Sequence, residues 1–90
     1  MSNAIITLTT DFGAGSHYVA AMKGVILGIN PAAQVVDITH AIGPQNINEG
    51  SIVLAETTPT FPHGTIHVAV VDPGVGSARS ILYAEIAGHR

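Results

Sequence analysis

The stretch Ala4-Ile5-Ile6-Thr7-Leu8-Thr9-Thr10-Asp11-Phe12-Gly13-Ala14-Gly15-Ser16 changes character twice within a few residues. Ala4 to Thr10 is a short run rich in β-branched side chains, the composition of a buried strand. Asp11 to Gly15 is a turn sequence, with an acidic residue and two glycines in close succession. Beyond it Val19, Met22, Ile26 and Ile29 recur at helical spacing, which predicts a helix capped by Ser16 and ended by Asn30-Pro31. Gln34 to Thr39 is β-branched again, so a strand–helix–strand unit is complete, and its two strands are predicted to be parallel.

The alternation continues downstream. His40 to Gln45 is a loop, and a second helix is expected from about Asn46 or Asn48 to about Thr57, with Ile52, Val53 and Leu54 turned inward; Pro59 and Pro62 then exclude further helix. Thr65 to Val71 is the most apolar strand. Asp72-Pro73-Gly74-Val75-Gly76-Ser77-Ala78-Arg79 needs the special backbone angles of a shaped loop, and Ser80 to Ile86 is a fourth strand. Alternating strands and helices make the expected fold α/β, a layered sheet of mostly parallel strands with flanking helices. Because Gly88-His89-Arg90 follows the last strand without a closing helix, residues 1–90 are expected to be an incomplete amino-terminal α/β domain.

Composition narrows the partners. Lys23, Arg79 and Arg90 are the only Lys or Arg residues, set against six acids, so the counterion release that drives nucleic-acid binding has almost nothing to act through. Apolar runs break well before the roughly 18 residues of a membrane span, and Met1-Ser2-Asn3-Ala4 lacks the basic and apolar regions of a secretory signal. No nucleic acid and no membrane are therefore expected as partners, and the absence of cysteine makes the cytoplasm the expected compartment. With 47% apolar and 10% charged residues, part of the apolar surface is expected to meet another chain or segment.

In open α/β sheets ligands bind beyond the carboxyl ends of the strands. Here those ends are polar: Thr10-Asp11, then Asp37 with Thr39-His40, then Asp72. Either Asp11 or Asp72 alone suits a turn cap better than a site; for two on neighbouring strand ends, turn caps and a shared crevice stand as equal readings. Gly13-Ala14-Gly15 lacks the third small residue of a dinucleotide fingerprint, having Tyr18 there, and no Gly-Lys-Ser/Thr sequence forms a phosphate loop. A nucleoside held through its ribose without phosphate clamps stays open. Arg79 lies where a tight loop could bring it to Asp72, fixing that carboxylate as an ion, or it is a solvated residue at the next strand. His63 and His67 are four apart, but Gly64 and the strand start separate their directions, so no metal is expected. Of the remaining histidines, His40 stands out because it lies at a strand end.

Several blocks taken in order carry a family likeness. Thr9-Thr10-Asp11-Phe12-Gly13, Tyr18-Val19-Ala20 with Met22-Lys23-Gly24, Asn30-Pro31, Val36-Asp37-Ile38-Thr39-His40, Pro44-Gln45-Asn46-Ile47 with Glu49-Gly50, Phe61-Pro62-His63-Gly64-Thr65 and Val71-Asp72-Pro73-Gly74-Val75-Gly76 resemble the S-adenosylmethionine hydroxide adenosyltransferases, the water-using relatives of the fluorinase and chlorinase enzymes. The resemblance implies that S-adenosylmethionine, or adenosine, is bound as substrate or product without a further cofactor. It implies that Asp11 holds the ribose hydroxyls, and that Asp72 and Arg79 belong to a catalytic Asp-Arg-His set whose histidine lies beyond residue 90. Thr10, Ser16, Tyr18, Gln45 and Val75 are the further substrate-binding candidates. It also implies a carboxy-terminal β domain, not present in these residues, and a homo-trimer with substrate held between subunits.

Three positions differ from those of relatives, and two of them bear on the nucleophile. Ser16 stands where many relatives have an acidic residue facing the substrate's amino-acid end, Gln45 where the fluorinase is aromatic, and Asp72 where the halogenases differ; the last two favour hydroxide over halide. The expected reaction is attack of water-derived hydroxide on the ribose 5′ carbon with methionine as leaving group, Asp72 accepting the proton. The competing expectations are a non-catalytic adenosine-binding or assembly module and a halogenase.

Overall fold

The computed structural model describes residues 4–43 and 46–71, and the backbone of residues 82–86. Its elements are β1 (Ile5–Thr10), α1 (His17–Ile29), β2 (Gln34–Thr39), α2 (Ile47–Thr57) with a short 3-10 turn at Thr58–Thr60, β3 (Ile66–Val71) and β4 (Leu82–Ile86). The described strands form one sheet in the order β2-β1-β3-β4. β1 is parallel to both β2 and β3, and β4 runs antiparallel along β3. This is the α/β sheet of mostly parallel strands expected from the sequence.

β1 is central, and the consequence is visible in its side chains. Thr7, Leu8, Thr9 and Thr10 are all buried in succession, as befits a strand covered on both faces. Successive side chains alternate between faces. On one face Thr7 Oγ1 meets His67 Nδ1 at 2.8 Å, a bond between residues that are direct partners in the β1/β3 register. The Phe61 ring stands edge-on to His67 with centroids 5.6 Å apart. Leu8 and Thr10 point to the opposite face.

Each helix starts where its cap chemistry dictates. Ser16 Oγ accepts from Tyr18 N–H at 3.1 Å, and Asn46 Oδ1 accepts from Glu49 N–H at 2.9 Å. Glu49 reaches back so that its Oε1 accepts from Gly43 N–H at 2.8 Å, tying α2 to the loop before it. Gly50 is buried on α2 facing β3, where a Cβ would lie 3.5 Å from Val71 Cγ2.

One sequence expectation on the helices needs correction. Ile52 is not turned inward: it is 57% exposed, whereas Val53 and Leu54 are half-buried. Three consecutive residues span about 200° of a helix, more than one buried stripe covers. On α1 the apolar periodicity does mark a helix, but only Val19 is buried; Val25, Leu27 and Ile29 remain exposed.

Candidate functional site

The topology brings the candidate residues to one edge of the sheet. From β1 the chain crosses to β2 on one side, and from β2 it returns past β1 to β3 on the other. The carboxyl ends of the three parallel strands therefore share one edge, and the gap between the ends of β1 and β3 is a topological switch point, where ligands enter open α/β sheets. The loop leaving β1 begins with Asp11. The segment leaving β3 begins with Asp72, and Asp72, Val75 and Arg79 lie outside the described residues, as does Gln45.

The β1 loop is held at several points. Gly13 N–H donates to His40 O at 2.7 Å, Ser16 N–H donates to Gly13 O at 3.1 Å, and Ile42 N–H donates to Thr10 O at 3.3 Å. Gly13 adopts φ of 93°, in the left-handed region, while a Cβ there would meet nothing within 4 Å. Backbone angle, not space, is why glycine stands there. Asp11, half-buried, is presented at the start of this turn.

Behind the loop lies a polar chain that sequence spacing alone does not reveal. Phe12 N–H donates to Thr10 Oγ1 at 3.2 Å, and Thr10 Oγ1 lies 2.7 Å from His40 Nδ1. His40 Nε2 is 2.8 Å from Asp37 Oδ1, and Lys23 Nζ donates to Asp37 Oδ2 at 2.7 Å. Thr10 is fully buried and the His40 side chain only 7% exposed, while Lys23 and Asp37 reach the surface. The Lys23 ammonium first, and the His40 imidazole second, hold the Asp37 carboxyl below its ordinary value.

A slip in strand register makes this chain possible. Leu8 faces Asp37, but Thr9 faces Thr39, so Ile38 is an extra residue on β2 without a partner of its own. In a regular strand Asp37 and His40, three apart, would point to opposite faces. The irregularity re-aims the following residues, putting His40 beside the end of β1 and on the same side as Asp37.

Two further candidates, Ser16 and Tyr18, stand at the start of α1. Tyr18, 53% exposed on the first turn of α1, has its ring centroid 6.0 Å from that of Phe12 and 4.5 Å from that of His17. Ser16 Oγ caps the helix beneath it. Thus Thr10, Asp11, Ser16 and Tyr18 fall within one turn region at the end of β1, with Thr10 facing inward and its hydroxyl engaged by protein groups. His63 is exposed in a turn and His67 fully buried in the sheet, so the pair does not converge. Among the described residues no group of three or more His, Cys, Asp or Glu could hold a metal ion.

Comparison with known proteins places this architecture. Residues 6–90 match the SAM hydroxide adenosyltransferase N-terminal domain. The chain is 52% identical over 85 residues to an (R)-S-adenosyl-L-methionine hydrolase of Methanocaldococcus jannaschii, covering 90% of the chain and 32% of that protein. It is 49% identical over 77 residues to one of Salinispora arenicola, covering 86% and 29%. A fluorinase of Actinoplanes sp. is 33% identical over 76 residues, covering 84% and 26%. An uncharacterized conserved protein from Thermotoga maritima has a crystal structure that superposes with a TM-score of 0.74 at 46% identity, over 82% of this chain and 29% of that one. The chain thus spans under a third of the length of these relatives.

Proposed function

The chain belongs to the SAM hydroxide adenosyltransferase family, whose N-terminal domain it matches, and from that membership we propose that it serves the hydrolysis of S-adenosyl-L-methionine to adenosine and L-methionine. The observation that carries the choice of reaction is the gap in similarity: 49% and 52% identity to the two hydrolases against 33% to the fluorinase. The Asp11 loop at the switch point between β1 and β3 supports a nucleoside as the ligand of this edge.

In this reading Asp11 accepts hydrogen bonds from the ribose hydroxyls. Ser16, Tyr18, Gln45 and Val75 line the substrate, and Thr10 acts from beneath the surface through its bonded hydroxyl. Water attacks the 5′ carbon in line with the departing sulfur. The new C–O bond forms as the C5′–S bond breaks, the electron pair goes to sulfur, and methionine leaves with its thioether neutral. Asp72, kept ionised by Arg79, takes the proton released by the attacking water and returns it to solvent. Converting the sulfonium to a thioether provides the driving force, so in-line placement and exclusion of bulk water are the protein's main tasks. The reaction calls on no further cofactor.

Exposed apolar side chains on α1, Val25, Leu27 and Ile29, support assembly of a homo-oligomer, a trimer in this reading. No described helix is long and apolar enough to cross a membrane, and we place the protein in the cytoplasm. The testing experiment is chromatography of the products from S-adenosyl-L-methionine with wild type and Asp72→Asn, in the presence and absence of fluoride or chloride. Adenosine released by wild type and lost at least about a hundredfold in the variant supports the hydrolase. A 5′-halo product would make it a halogenase, and adenosine binding without turnover would make it a binding module.

A further inference from the structure

We propose that His40 is a positioning residue, which sets the Asp11-Phe12-Gly13 loop for its ligand by holding the Thr10 hydroxyl from inside the sheet. The proposal deepens the functional reading above, on which its link to nucleoside binding rests.

Bond direction carries the case. An ionised Asp37 carboxylate only accepts, so His40 Nε2, 2.8 Å from Oδ1, bears a hydrogen and donates. In the neutral imidazole Nδ1 is then an acceptor, and the only donor at 2.7 Å is the Thr10 hydroxyl. With its proton committed to His40, Thr10 Oγ1 presents a lone pair to Phe12 N–H at 3.2 Å. Lys23 closes the far end, donating to Asp37 Oδ2 at 2.7 Å. Each group thus has one consistent role from the surface lysine to the amide beside Asp11. His40 holds the same loop a second time, since its carbonyl accepts from Gly13 N–H at 2.7 Å. Its side chain is buried, so it acts on the loop through Thr10 and not by touching a ligand.

The irregularity at Ile38 supports a positioning role. Without it Asp37 and His40 would point to opposite faces, and the residues beyond it bond the end of β1 at two backbone positions, Gly13 N–H to His40 O and Ile42 N–H to Thr10 O. Bulges that re-aim one side chain next to a site are a recurrent use of this geometry.

The two nitrogens allow a clean test, because an Asn amide reproduces the position of Nδ1 and a Gln amide that of Nε2. The measurements are hydrogen exchange at the Phe12 amide and the dissociation constant for adenosine, in wild type, His40→Asn and His40→Gln. The Gln variant is expected to exchange at Phe12 at least about tenfold faster and to bind adenosine correspondingly more weakly, with both values returned toward wild type in the Asn variant. Should the Gln variant not fold, His40→Ala removes the Thr10 bond while keeping the Thr10 hydroxyl, and is expected to give the same acceleration. Unchanged exchange at Phe12 in the Gln and Ala variants would overturn the proposal, as would faster exchange with unaltered adenosine affinity. A wild type that binds no adenosine, yet shows the predicted exchange pattern, would sink the nucleoside reading and leave the positioning of the loop standing.

Discussion

Thr10 Oγ1 and His40 Nδ1 lie 2.7 Å apart in the interior, joining residues thirty positions apart at the ends of β1 and β2. The bond links the sheet to the turn that presents Asp11, and its environment fixes what its loss must do.

Thr10→Val keeps the shape of the side chain but leaves Phe12 N–H and His40 Nδ1 without their partner. A loss of about 1–3 kcal/mol in unfolding free energy is expected. Thr10→Ser, which keeps the hydroxyl and loses a methyl, should cost about 1 kcal/mol. Denaturant unfolding of both variants checks the order; a Ser variant less stable than the Val variant would show that the hydroxyl contributes little.

Gly13→Ala should destabilise by about 1–2 kcal/mol although nothing stands within 4 Å of the new Cβ, because the cost lies in φ of 93°. The same measurement on Gly24→Ala and Gly28→Ala should move the other way. Both lie within α1, where a Cβ meets nothing within 4 Å and no positive φ is needed, so each replacement should add up to about 1 kcal/mol. A neutral Gly13→Ala would mean that the turn relaxes to another conformation.

The Asp37 carboxyl is held below its ordinary value of 3.8 by Lys23 and His40. A depressed carboxylate contributes stability that is complete above the ordinary value and is lost as pH falls through the folded one. The difference in unfolding free energy between wild type and Asp37→Asn should therefore be largest near neutrality and disappear in acid. With Asp37 41% exposed it should not exceed about 1 kcal/mol. A difference that grows on acidification would contradict the ion-pair assignment.

Much of the fold was readable because local signals agree. The change from β-branched to helical spacing across Asp11 to Ser16 set the first unit, and Ser16 and Asn46 cap the helices that start there. The loss of direction at Ile52 came from a run of adjacent apolar residues, in which periodicity cannot say which side is buried. His40 stood out in sequence only as a strand-end residue. Its partners Thr10 and Asp37, and the Lys23 that Asp37 holds in turn, come from three separate elements, and they meet through a one-residue register slip that no local pattern encodes. Asp11, Ser16 and Tyr18 were found together because they are close in sequence. The expectations for Gln45 and Val75 rest on resemblance, those for Asp72 and Arg79 on strand-end and loop position as well, and all four lie outside the described residues.

The most direct measurement is the fate of oxygen when S-adenosyl-L-methionine is turned over in water enriched in oxygen-18. Attack of water on the ribose 5′ carbon predicts adenosine carrying the heavy isotope in its 5′-hydroxyl, with unlabelled methionine. Adenosine without the label, or no adenosine at all from the substrate, would contradict the account.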